Sequence, residues 1–129
     1  MNKIIVTSEI LLFGICSLFR AKRLPGIGYF NEVIVQCKQE GKFPDLLSYI
    51  DTRQHWYAPG DIISETFFEL VTKGLFRYTE DWDKIGYEII SGPFFEVYDR
   101  QLAVPLYDYT SQLRELANLI AAKDKERTE

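Results

Sequence analysis

The sequence is poor in the residues from which metal sites and nucleophilic centres are built. It has one histidine and two cysteines in 129 residues. The cysteines, Cys16 and Cys37, lack CxxC spacing and have no histidine near them, so they supply neither a zinc ligand set nor a redox dithiol. Both fall on apolar helix faces and read as free, buried thiols of a reducing compartment. His55 stands beside Trp56 and Tyr57, with Asp51 and Asp61 flanking it only loosely, and no second ligand or orienting group is spaced with it. Pro25-Gly26-Ile27-Gly28 is no phosphate loop, because no strand precedes it and no GKS or GKT follows. The expectation is a protein without catalytic residues, metal or cofactor.

A long hydrophobic run and an excess of positive charge are missing as well. Ile10–Phe19 is too short to span a bilayer, Glu9 interrupts the apolar opening, and no small-x-small cleavage site follows. Ile15 beside Cys16 does not suit a lipoprotein box either. A buried first helix capped by Thr7 or Ser8 is therefore expected, with no membrane contact and a cytoplasmic location. The formal net charge is −4, which does not describe a general binder of nucleic acid or anionic membrane. Arg20, Lys22 and Arg23 form the concentrated basic cluster. At the C-terminal end of the first helix they complement its dipole, and the sharper alternative is contact with a phosphate or an acidic partner.

What is abundant is aromatic area: nine Phe, eight Tyr and two Trp. Large rings are favoured in small cores and in protein interfaces alike, so they raise the expectation of a partner without naming one. The 47% hydrophobic content suits one domain with a genuine core. Its organising stretch is Asp61–Gly92. Ile63, Phe67, Leu70 and Val71 share one helical face, Asp61 follows Pro59-Gly60 as a first-turn acceptor, and Gly74 sits where a left-handed cap belongs. Strands are expected at Leu75–Thr79 and Tyr87–Ile90, joined by a polar Glu80–Gly86 link. The outward residues of the helix are read as Glu65, Thr66, Glu69, Thr72 and Lys73.

A helix running through LVTKGLF into a hairpin resembles the third helix and wing of winged-helix domains. In such domains that helix enters the major groove and meets phosphates with Arg, Lys and neutral polar groups. Here two carboxylates outnumber one ammonium, and the wing tip Glu80-Asp81-Trp82-Asp83-Lys84 is net acidic. Direct nucleic-acid contact by the 61–73 helix is therefore disfavoured. The resemblance then implies a protein-docking module.

The other segments supply helices around this unit. Phe30, Val33, Ile34 and Cys37 line one side of a helix over Phe30–Glu40 that Gly41 closes, and Pro44 opens a short helix carrying Leu46, Leu47 and Ile50. Phe94, Phe95 and Tyr98 lie in a partly alternating run, read as a third short strand or an extended arm, and Pro105 forbids a continuous helix beyond it. Leu113, Leu116, Ala117 and Ile120 share a face of a last helix over Tyr109–Ala122, with Asp108 or Thr110 as its N-cap. Residues 123–129 read as a charged, fraying tail. The expected fold is α+β and mostly helical: a winged-helix-like domain over residues 1–122, with four to five helices and a small antiparallel hairpin.

Trp56 and Tyr57 in the loop, with Phe94, Phe95, Tyr98, Tyr107 and Tyr109 in the arm, are the candidate partner contacts; the alternative is that they pack on the domain's own helices. The favoured function is a non-catalytic adaptor of a larger assembly containing an ATPase or nuclease. Such a module looks like the small accessory subunits of structural-maintenance-of-chromosomes-type ATPases, including the middle subunits of three-component bacterial antiviral defence systems. An acidic inhibitor or immunity protein is the alternative. A winged-helix transcriptional regulator is a further one, which only Arg20, Lys22 and Arg23 could equip with a basic face. A homo-oligomer is left open.

Overall fold

Helices in this chain start and stop where their unpaired backbone groups find partners. A computed structural model describes residues 5–19, 24–50, 62–81 and 84–128. The first helix, α1 (Ser8–Cys16), begins at Thr7, whose hydroxyl accepts from the Ile10 N–H at 3.3 Å. The second, α2 (Ile27–Gln39), ends at Gly41, which takes a left-handed φ of 72°. Lys42 N–H then bonds to Cys37 O at 2.9 Å and Gly41 N–H to Lys38 O at 3.1 Å, so the last carbonyls are satisfied. Pro44 opens the one-turn α3 (Pro44–Leu47), where its missing N–H costs nothing. Helix α4 (Ile62–Thr72) closes as α2 does: Gly74 has φ 79°, and Leu75 N–H reaches Leu70 O at 2.9 Å.

From that cap the chain enters strand β1 (Phe76–Asp81), which pairs antiparallel with β2 (Lys84–Ile89) in a register running from Phe76↔Ile89 to Asp81↔Lys84. The strands extend into residues expected to form the link, because the ladder continues unbroken through Glu80↔Ile85.

Two further expectations are corrected. The run after the hairpin is helical: α5 (Ser91–Val97) starts with the bond from Phe94 N–H to Ile90 O at 3.1 Å. A π-helical turn follows over Tyr98–Leu102. Coiling there turns Phe94 into the interior against Phe13, at 4.9 Å between ring centroids, and Phe76, at 5.5 Å, which a strand lying over the surface would not do. The last helix, α6 (Thr110–Thr128), continues past Ala122 instead of fraying. Its extra turns are held to α2: Lys123 pairs with Glu32 at 3.6 Å, and Asp124 accepts from Gly26 N–H at 3.4 Å, at the positive end of the α2 dipole.

The result is an α+β, mostly helical fold with one two-stranded hairpin among the described residues. Helices α1 and α2 each pack against both α4 and α6, and the hairpin continues directly from α4. The core is aromatic at its centre. The Phe67 ring meets Phe30 edge-on at 5.1 Å, stacks on Tyr87 at 5.3 Å and tilts against Phe76 at 5.4 Å. Gly14 lets α1 approach α6, since a Cβ there would lie 2.9 Å from a Leu113 methyl. No helix among the described residues is long and apolar enough to cross a membrane.

Phe67 and Phe68 are adjacent in sequence and opposite in environment, fully buried and 67% exposed respectively. Phe67→Ala should cost about 3–5 kcal/mol of stability in a urea titration, the range for emptying a buried aromatic site. Phe68→Ala should stay within about 0.5 kcal/mol of the unaltered protein.

Candidate protein-docking surface

Helical geometry places Glu65, Phe68, Glu69 and Thr72 on one side of α4, at spacings of three and four residues. All four are exposed. The opposite side, Ile63, Phe67 and Leu70, is buried. Thr66, expected to face outward, is instead buried between α4 and α1. Its hydroxyl donates to Ile62 O at 2.7 Å, leaving Ser8 Oγ, 2.9 Å away, as the donor to it. A short hydroxyl can turn back onto its own helix, so a polar residue one position from the core face went inside while the aromatic at 68 stayed out.

Charge completes this face. Lys73, at its C-terminal end, bonds to Glu9 of α1 at 2.9 Å. That hydrogen bond and the carboxylate's charge push the Lys73 pKa up. Lys73 is thus engaged by α1, with Glu69 adding a smaller electrostatic pull on it, and neither Glu65 nor Glu69 has an ion-pair partner within contact distance among the described residues. The surface therefore offers an exposed phenyl ring framed by two carboxylates. Such an arrangement suits a partner with an apolar pocket rimmed by Lys or Arg, and it repels a polyanion.

A second exposed apolar spot lies in the turn before α6, where Val104 is 83% and Tyr107 77% exposed. Leu106 between them is buried and anchors the turn. Of the predicted arm residues, Tyr107 alone is broadly exposed. Phe94 is a core residue and is withdrawn from the contact surface; Phe95 packs edge-on against it at 5.0 Å, and Tyr98 and Tyr109 are half-buried against the core. Trp56, Tyr57, Arg20, Lys22 and Arg23 lie outside the described residues, as does His55. Sequence reasoning missed Phe68 and Val104. The signal for Phe68 was present in its spacing from Glu65 and Thr72.

Elsewhere, the groove between α2 and α6 has a volume of about 220 Å³ and an apolar floor of Val33 and Leu119. Its two lysines are already paired, Lys42 with Glu40 at 3.4 Å and Lys123 with Glu32 at 3.6 Å, so it presents little unbalanced charge. Cys37 lines it, and Cys16 lies in the core; burial pushes both thiols up, away from the reactive thiolate. No cluster of metal-ligating side chains occurs among the described residues. No protein-family model, curated protein or solved structure matches this chain.

The buried thiols give a pH dependence with a definite sign. The folded state keeps Cys16 protonated above the ordinary thiol value of 9.0, where the unfolded chain ionises. The unfolded state then binds fewer protons, so stability is fully present below that pH and falls as pH rises beyond it. Urea midpoints measured from pH 7 to 10 should decline above about pH 9, and Cys16→Ala should flatten that decline.

Proposed function

We propose that this protein is a non-catalytic adaptor that docks onto a larger protein subunit through the outer face of α4, with Phe68 as the apolar anchor. One observation carries the reading: an aromatic ring left in water at the centre of a helix face, with Glu65 three residues before it and Glu69 one after it, neither ion-paired among the described residues. Burying a phenyl side chain contributes on the order of 2 kcal/mol, a term that a partner covering Phe68 would gain on docking. Val104 and Tyr107 provide a second exposed apolar spot that a large partner could cover.

The succession of α4 and the β1–β2 hairpin, with its resemblance to the third helix and wing of winged-helix domains, supports the same reading. A carboxylate-bearing helix is a poor reader of DNA and a good complement to a basic protein surface. An accessory subunit of an ATPase- or nuclease-containing assembly, of the kind found in bacterial antiviral defence, is the role we assign to it, acting in the cytoplasm.

Tagged protein purified from its native host should retain a larger subunit in stoichiometric amount. Binding of that identified subunit should weaken at least about tenfold for Phe68→Ala, and further for the charge reversal Glu65→Lys with Glu69→Lys. A secreted toxin in place of the subunit would favour the acidic inhibitor instead. Duplex DNA should show no salt-dependent binding even at low ionic strength; a steep loss of affinity with salt would contradict the adaptor reading.

A further inference from the structure

The hairpin has one edge that the chain itself uses and one that no other described residue pairs with. In an antiparallel pair, alternate residues exchange both backbone bonds with their partner while those between turn N–H and C=O away from it. Ile90 N–H donates to Leu75 O at 3.0 Å, which fixes the phase of the alternation. Counting by twos along the register, Arg77 with Glu88 and Thr79 with Gly86 are bonded pairs. Phe76, Tyr78 and Glu80 therefore turn their backbone groups outward on β1, as Tyr87 does on β2. The β2 side is taken, since Leu24 N–H donates to Tyr87 O at 2.9 Å. On the β1 side Phe76 is buried, Tyr78 is 48% exposed, and among the described residues neither Tyr78 nor Glu80 makes a backbone bond beyond the hairpin.

We infer that this open edge pairs with the same edge of a second copy, antiparallel about a two-fold axis at Thr79. The order Arg77-Tyr78-Thr79-Glu80-Asp81 is self-complementary in that register alone. Arg77 falls opposite the copy's position 81, an aspartate. Tyr78 falls opposite position 80, so that the two outward-facing residues exchange both bonds. Thr79 meets itself on the axis. Opposite charges and paired threonines are favourable cross-strand neighbours. Moving the axis to Tyr78 would set Arg77 against Thr79 and Glu80 against buried Phe76, with no charge matched. Among the described residues the Thr79 hydroxyl, buried within one chain, has no hydrogen-bond partner, and a χ1 rotation away from Gly86 lets the two copies' hydroxyls satisfy each other. The Arg77 guanidinium already holds Glu88 at 3.1 Å and keeps donors for the second contact. The product is a four-stranded sheet across the dimer, with the outer faces of both α4 helices outside the pairing ladder. The inference is independent of the adaptor reading.

Sedimentation equilibrium of the full chain from micromolar to millimolar concentration should show a monomer–dimer equilibrium. Arg77→Asp and Asp81→Arg should each weaken it about tenfold by facing like charges, and the two together should restore it. Hydrogen exchange on the unaltered protein gives a readout that needs no variant. The Tyr78 and Glu80 amides should slow as concentration rises, while the Arg77 amide, bonded inside the hairpin, should not change. A chain monomeric throughout, a dimer indifferent to both single substitutions, or Tyr78 and Glu80 amides that exchange equally fast at every concentration would overturn the inference.

Discussion

The stacking of Phe67 on Tyr87, at 5.3 Å and 8° between ring planes, joins the two parts of this fold. Phe67 belongs to α4 and Tyr87 to β2, so the contact ties helix to hairpin through the sheet's core face. The same phenyl ring meets Phe30 of α2, and Phe76 relays the contact to Phe94 and thence to Phe13 of α1. A chain of rings thus runs through α2, α4, the hairpin, α5 and α1. Interiors of this kind are close-packed, so a ring removed from the middle leaves a void that its neighbours cannot close by small shifts.

The orientation that this cluster imposes on α4 decides the surface as well. With Phe67 locked inward, a helix of 3.6 residues per turn must carry Glu65, Phe68, Glu69 and Thr72 outward. Nothing in the packing requires position 68 to be aromatic. The core thereby supplies a rigid mount for an exposed ring, and rigidity would lower the entropic cost of the docking proposed for it. Ser8 and Glu9, at the start of α1, secure the helix from one side through Thr66 and Lys73.

Much of this architecture was legible in the sequence. Thr7 before the first helix, Gly41 and Gly74 after the second and fourth, and Pro44 at the start of the third are local chemical requirements, and each falls where the residue type demanded. The apolar faces of α2, α4 and α6 were legible for the same reason, since a period near 3.6 needs only a few turns to declare itself. Residues 94–98 were not. Over five residues Phe94, Phe95 and Tyr98 satisfy a strand or a helix equally, and the decision came from Phe13 and Phe76, which lie far away in sequence. The end of α6 was hidden similarly, because Lys123 and Asp124 are held by Glu32 and Gly26 of another helix. For the surface, composition announced an excess of rings without saying which were spare. Phe94 was needed inside, whereas Phe68 and Tyr107 were not.

In the proposed adaptor, α4 serves the fold with one face and a partner with the other. Fluorine labels on Phe67 and Phe68, read by solvent accessibility in the free protein and in the assembly isolated from the host, test it most directly. The ring at 67 should be shielded in both states, and the ring at 68 should be open in the free protein and shielded in the assembly. A ring at 68 that stays equally open to solvent in both would contradict it.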